Sequence, residues 1–477
     1  MFPVFISLRP HTTGQATKKD DSAWILDPRS EESTLSVGPP TTTMAQSKKP
    51  AKRSPQQDIE PHPVKGRLRP LSRLIIHPKW EQLLFQTGQA WIGIRSEGSS
   101  IIGACFDCKL HSPPDTAAPA CSGVIDETGK TSSFACRSGF RIHSVTAKAL
   151  EIEFDQIAGI ATRATFHAPT RVYGEIFNRN VVSVDVQMSG YHGAAVSFDK
   201  ILKVWRMDNE EIKCTLKEQG DISVVKWIPG TPLSFAYSAD TSFIRLYNVE
   251  TNKVLRTLKG HSAPVRVLTF ADKGRNLFSA SQDGTVRLWD ITRRDPIRTV
   301  AVHLGDLINC ISVQTAHPTV TTAYSASNPS ANDGRVLLYG TQDGQCLRIA
   351  SVASDGVLFQ QQVDSAVSCC AFLQHPYFAC GTDTAHIYYF DWRKADRPFA
   401  HWQESRGSIL SMIAHRGSGV ICGTQDGTTF YRNPVAHPRN DLTMEFCGGD
   451  EPVTRVCQYP GNLVTCCRDG KIRQYNL

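Results

Sequence analysis

From residue 171 onward, short apolar runs come in pairs on either side of a tight, Asp-bearing turn. Residues 194–196 and 201–205 flank Asp199, 234–237 and 244–247 flank Asp240, and 276–281 and 285–289 flank Asp283. The same arrangement recurs around Asp343, Asp383, Asp426 and Asp469. Runs of this length, rich in β-branched and aromatic residues, predict strands, and the turn chemistry predicts hairpins. Successive turn aspartates are 41, 43, 60, 40, 43 and 43 residues apart. A period near 40 is that of a four-stranded propeller blade, so seven turns predict seven blades. The long interval is explained by an insertion at residues 315–333, rich in Thr, Ser, Ala and Asn. The last repeat ends after its third strand, at 472–475. Its outer strand is therefore expected from before Val181, within residues 162–176, which would close the ring and remove an open edge.

The third repeat, residues 260–290, has the fullest signature: Gly260-His261 opens it and Trp289-Asp290 closes it around the turn Gln282-Asp283-Gly284. This is the pattern of the WD repeat. His261, Ser279, Asp283 and Trp289 can form one buried hydrogen-bonded chain, in which the carboxylate orients the imidazole and the indole N–H finds an oxygen or nitrogen acceptor. A buried polar set of this kind is tolerated only when every member is satisfied. A structural tetrad is therefore expected rather than a catalytic His–Asp pair. The first repeat keeps Trp205 at the matching place, while Tyr247, Ile349, Tyr389 and Tyr475 stand there in others.

Residues 72–170 read as a separate small β-rich module, with strand candidates at 90–94, 99–104, 139–144 and 150–154 and a short helix or arm at 80–86. The alternation Leu150-Glu151-Ile152-Glu153-Phe154 is the cleanest of these. Residues 111–123 read as a loop. Cys105 and Cys108 are spaced like half of a zinc site, but the second CxxC is missing and Cys121 and Cys136 follow at long spacings, so packed thiols are expected and no metal. Residues 1–71 form a basic tail rich in Ser, Thr and Pro with little apolar periodicity, the composition of a disordered segment. Lys48-Lys49-Pro50-Ala51-Lys52-Arg53 fits either a solvated basic stretch or a nuclear-import signal, and Met44 just upstream is an alternative start. The propeller is then residues 171–477, giving an all-β, seven-bladed WD-repeat architecture behind the module and tail.

The net charge of +7 changes this picture little, because residues 1–73 hold twelve Lys/Arg against seven Asp/Glu and leave only +2 for the rest. A broad nucleic-acid footprint is not supported. No apolar run reaches the ~18 residues of a membrane span, and no signal-peptide core opens the chain. Fifteen cysteines fit free thiols in a reducing compartment, with the vicinal pairs Cys369-Cys370 and Cys466-Cys467 packed in or beside strands. No nucleophile elbow, phosphate loop, HExxH motif or paired carboxylates appear, so no enzyme activity and no cofactor are expected. The loops leading from each outer strand to the next inner strand carry Glu218, Asp221, Asp306, Asp364, Glu404, Asp450 and Glu451 against Lys217, Lys259 and Arg406. An acidic rim of this kind would steer a basic protein partner.

Two stretches carry a family resemblance. One is Asp450-Glu451-Pro452-Val453-Thr454-Arg455-Val456 with Val464-Thr465-Cys466-Cys467-Arg468-Asp469-Gly470-Lys471-Ile472-Arg473-Gln474-Tyr475; the other is Trp80-Glu81-Gln82-Leu83-Leu84 followed by Gly88-Gln89-Ala90-Trp91-Ile92. With residues 274–285, these resemble the proteasomal ATPase-associated factor family over roughly residues 75–477. The resemblance implies a cytoplasmic and nuclear protein that binds the C-terminal domain of a proteasomal ATPase subunit. It implies a chaperone or negative regulator of regulatory-particle assembly that restrains docking on the core particle, monomeric outside that complex. The alternative is a substrate receptor of a cullin-type ubiquitin ligase, since Phe390-Asp391-Trp392-Arg393 approximates the Trp-Asp-x-Arg signature of adaptor-docking propellers.

Overall fold

The computed structural model describes residues 4–7, 73–82, 89–97, 105–107, 121–125, 131–136, 140–146, 148–157 and 160–477, apart in the last span from 179, 240–241, 303–305, 316–334, 344, 353–355, 395–396 and 438–441. Lys48–Arg53, Met44, Asp240, the strand candidate at 99–104 and nearly all of the 315–333 insertion lie outside the described residues. The two strands around that insertion end at Thr315 and resume at Arg335, so it joins the first and second strands of its sheet.

Six four-stranded sheets dominate the described chain. Five run in chain order from first to fourth strand, over residues 181–217, 222–258, 265–302, 308–362 and 367–403, and are called here the first to fifth sheets. Residues 409–446, the sixth, have the same order but belong to a larger sheet. The seventh combines Val453–Tyr459, Asn462–Cys467 and Ile472–Asn476 with Arg171–Tyr173 as its outer strand. Arg171–Tyr173 lies antiparallel to Ile472–Asn476, with Val172 opposite Arg473, inside the window expected for the missing strand. The first strand of each sheet packs beside the first strand of the next, and Val453–Tyr459 packs beside Val181–Val186. Seven first strands therefore form a closed cycle.

Burial follows this arrangement. First strands are covered on both faces by neighbouring sheets, as in the largely buried Val181–Val186. Fourth strands such as Ile212–Lys217 are mostly exposed and alternate with charged residues. All seven first strands also carry a register shift at their start, between residues 181/183, 222/224, 265/267, 308/310, 367/369, 409/411 and 453/455. A bulge re-aims the extra residue, and here it reaches the neighbouring sheet. Asn309 donates from Nδ2 to the Val367 carbonyl at 3.2 Å, and Ser368 donates to that of Ile409. Thr454 donates to the Val181 carbonyl at 2.7 Å, which links the last sheet to the first. Both vicinal cysteine pairs are buried in this packing, and burial pushes the Cys369 and Cys467 thiols up to about 12 and Cys466 to about 11. They are protonated and unreactive at neutral pH.

The separate module expected over residues 72–170 takes a different form. Arg73–Ile76, Gln89–Glu97, Val4–Ser7, Cys121–Ile125 and Thr131–Cys136 share one sheet, with Cys105–Asp107 against Gln89–Glu97. Phe140–Val145, Ala149–Ile157 and Ile160–His167 instead continue the sixth sheet. Ile160–His167 runs parallel to Leu442–Phe446, with Leu442 opposite Arg163. Alternation in 150–154 announces a strand but says nothing of the sheet it enters: its neighbour Ile160–His167 carries it onto a strand nearly 300 positions away. The expected helix at 80–86 is described only as a helical turn at 80–82, anchored by the buried Trp80.

Candidate functional site

Antiparallel order places the loops that enter the first strands at the same end of the sheets as the Asp turns between second and third strands. In the third sheet that end is tied by the tetrad. Asp283 Oδ2 lies 2.7 Å from His261 Nδ1, and His261 Nε2 lies 2.7 Å from Ser279 Oγ. Trp289 donates from Nε1 to the same Ser279 Oγ at 2.8 Å. The other carboxylate oxygen, Oδ1, accepts from the Thr285 backbone N–H and hydroxyl, at 2.9 and 2.6 Å. Burial pushes the Asp283 carboxyl upward, but the bonds from His261 and Thr285 outweigh it and hold the group below the usual range. The His261 and Asp283 side chains are 0 and 5% exposed, so the pair is sealed from any substrate. Trp205 keeps the indole of the first sheet without this chain: among the described residues its N–H has no hydrogen-bond partner.

At the corresponding end of the sixth sheet, Asp426 stands where Asp283 stands in the third. Its Oδ1 accepts from the Thr428 N–H and hydroxyl at 3.0 and 2.7 Å. Its Oδ2, however, accepts from Arg73 Nη2 at 2.6 Å, a residue of the N-terminal sheet. Around this contact lie Glu404, Arg406, Arg432 and Glu445. Arg406, wholly buried, bonds Glu404 through Nη1 and Glu445 through Nη2, and its guanidinium stacks on Phe430 at 4.2 Å. Arg432 reaches Glu404 at 3.4 Å, and Arg73 approaches Glu445 at 3.5 Å. Three carboxylates thus face three guanidiniums. Burial alone would raise the Glu404 and Asp426 carboxyls; Arg406 and Arg432 around the first, and Arg73 and Arg406 around the second, keep both below the usual range.

Beside this cluster is a cleft of about 280 Å³ between Arg73, Ile76 and Pro78 on one side and Asp426, Gly448 and Asp450 on the other. Gly427, at φ +88°, permits the close passage of the loop bearing Asp450: a Cβ there would lie 2.7 Å from the Gly449 carbonyl oxygen. Asp450, which lines the cleft, and its neighbour Glu451 are exposed.

The seven loop acids thus divide. Asp450, Glu451 and Asp221 face solvent, Asp221 3.7 Å from Lys200. Asp306 accepts from the Asp343 N–H at 2.7 Å. Glu218 is bonded to Arg245 and accepts from Tyr237 at 2.7 Å. Asp364 binds His386, Tyr388 and Thr384, and these bonds outweigh burial to bring its carboxyl to about 2. Glu404 is 2% exposed and cannot meet a partner, and Arg406 does not oppose the rim as a surface cation. All seven are expected to face a partner, but these loops are where each sheet is tied to its Asp turn, and internal donors claim Glu218, Asp306, Asp364 and Glu404. Among the described residues no group of three or more His, Cys, Asp or Glu could hold a metal. The side chains of Cys105, Cys121 and Cys136, and Cys108 altogether, lie outside the described residues.

Comparison with known proteins adds a whole-chain view. The WD domain, G-beta repeat family matches residues 252–290, the span containing the tetrad. Proteasomal ATPase-associated factor 1 of Gallus gallus is 28% identical over 410 residues, 85% of this chain and 98% of that protein. The chain is a homologue of the proteasomal ATPase-associated factors. The Homo sapiens factor of that name is 25% identical over 411 residues, with the same coverage of both chains. The Nuclear distribution protein PAC1 of Arthroderma otae is 35% identical, but over only 26% of this chain and 30% of its own, as expected of a shared repeat. The Arg393 of the adaptor-like signature folds back onto Asp391, Nη2 to Oδ2 at 2.6 Å, while Phe390 is buried.

Proposed function

We propose that this protein is a proteasome-associated binding factor, a chaperone or regulator that holds the C-terminal domain of a regulatory-particle ATPase subunit and restrains its docking on the core particle. The observation that carries this reading is the alignment with Proteasomal ATPase-associated factor 1 along 85% of this chain and 98% of the relative. We count the cycle of seven first strands as a seven-bladed propeller, residues 171–477, a rigid platform whose loops can cover a partner's surface. Binding rather than catalysis is supported by the sealing of the His261–Asp283 pair. The mechanism is steric: the loop face occupies ATPase surface that would otherwise engage the core particle, in the cytoplasm and nucleus, and leaves as assembly proceeds.

Asp450, Glu451 and Asp221 are the acids offered to that partner, with the Arg73–Asp450 cleft between the N-terminal sheet and the ring as the recess. Exposed charges steer association and are screened by salt. The test is binding of the full chain to each isolated ATPase C-terminal domain at low and raised salt. One subunit is expected to bind selectively, and Asp450→Lys with Glu451→Lys is expected to weaken it by about tenfold. No binding to any subunit overturns the reading. Binding indifferent to the double reversal moves the contact off this face.

A further inference from the structure

The ring axis holds a second recess, independent of the loop face. It is a cavity of about 370 Å³ lined by all seven first strands, through residues from their third position onward. It therefore lies toward the turns that join first to second strands, at the end opposite the Asp turns. Its polar lining is biased. The one carboxylate, Asp185, has both oxygens engaged: Oδ1 accepts from Lys226 Nζ at 2.7 Å and Oδ2 from the Trp227 N–H at 2.8 Å. Arg455 also lines the cavity, half-buried, and among the described residues its guanidinium has no hydrogen bond or ion pair. Beside it, Ser411 Oγ accepts from the Val456 N–H at 3.1 Å, and across the cavity Ser312 Oγ accepts from the Phe372 N–H at 3.2 Å. Neither hydroxyl donates to any described residue, so both hydrogens are available.

The cavity thus offers an unpaired guanidinium, two free hydroxyl donors and a lysine against one satisfied acid. A half-buried cation with surplus donors around it favours an anion, because charge-assisted bonds strengthen as water is excluded. We propose that the axial cavity is an oxyanion site in which Arg455 is the primary ligand, Ser411 and Ser312 donate hydrogen bonds, and Lys226 adds charge. The ligand is a carboxylate or phosphate group, carried either by a free anion or by an acidic segment of a protein partner entering from the face opposite the Asp turns.

The test uses the full chain in isothermal titration calorimetry with pyrophosphate, with a blocked hexaglutamate peptide and with a blocked hexaglutamine control. Binding of pyrophosphate marks a free-anion site; binding of hexaglutamate alone marks a site for an acidic protein segment. In either case Arg455→Gln is expected to lower affinity by about tenfold or more, the loss of a charged hydrogen-bonding group. Arg455→Lys should recover part of it, and Arg275→Gln, a cation outside the cavity, should change nothing. The proposal is overturned if neither anion binds, or if Arg455→Gln binds as the parent does. Should Arg455→Gln not fold, the parent chain decides: its melting temperature must rise with pyrophosphate or hexaglutamate and not with hexalysine at matched ionic strength, and no rise overturns the site.

Discussion

The third and sixth sheets solve one problem with opposite chemistries. Each must tie the loop entering its first strand to the Asp turn between its second and third. The third does so within about thirty residues of sequence, through the His261–Asp283–Ser279–Trp289 set. The sixth uses six charged groups, one of them imported from Arg73, 353 positions before its partner Asp426. The tetrad has a single carboxylate to desolvate, answered by the bonds from His261 and Thr285. A buried ionic cluster is expensive to desolvate and holds only while every charge is answered. The difference teaches that the tie in the sixth sheet depends on the N-terminal sheet, whereas the tie in the third is made within its own repeat.

The largest test of that contrast is Arg406→Met. It leaves Glu404 and Glu445 buried without their main counter-charge, and unfolding by denaturant should show a loss of about 5 kcal/mol, the upper end for breaking a buried pair from one side. Adding Glu404→Met restores the balance of charge and should recover much of that loss. Arg73→Ala should cost about 3 kcal/mol, and hydrogen exchange should localise the loosening to Leu442–Phe446 and Ile160–His167 while Val265–Ala271 stays protected. In the third sheet, His261→Ala should cost about 2 kcal/mol, the range for a buried acceptor and donor left without a partner. The smallest effect is one of pH. Burial first, then His386, lowers the His401 imidazole to about 4, and it stacks on Tyr388 at 4.0 Å. Its folded value is below its unfolded one, so the unfolded chain binds the extra proton and stability falls as pH drops from about 6.5 toward 4. His401→Phe should flatten that slope in melting curves.

How far the fold could be read depended on whether each device is local. The tetrad was legible because its four residues fall within one repeat at fixed offsets from a Gly-His and a Trp-Asp pair. The strand at Arg171–Tyr173 was legible in outline, since a last repeat with three strands needs a fourth from elsewhere. The joining of Ile160–His167 to the sixth sheet was not, because parallel pairing across nearly 300 residues leaves no mark in either segment. Arg73 and Arg406 read as ordinary surface cations and Glu404 as a rim acid. Nothing in a one-dimensional pattern distinguishes a charge in water from one answered by a distant opposite. The bulge residues Asn309, Ser368 and Thr454 did leave a signal, a polar residue second in an otherwise apolar run, which a repeat-by-repeat alignment of the first strands would have exposed.

The seventh sheet has a consequence in time. Its outer strand, Arg171–Tyr173, is held by Ile472–Asn476, and Tyr173 bonds Gln474 across a separation of 301 residues. At about 5–20 residues per second on the ribosome, the earlier strand waits roughly 15–60 s for its mate. Throughout that interval Val181–Val186 and the closing edge stand bare, and the nascent protein is an open arc that needs shelter from its own kind. A translation stop anywhere before Ile472 makes that interim state permanent.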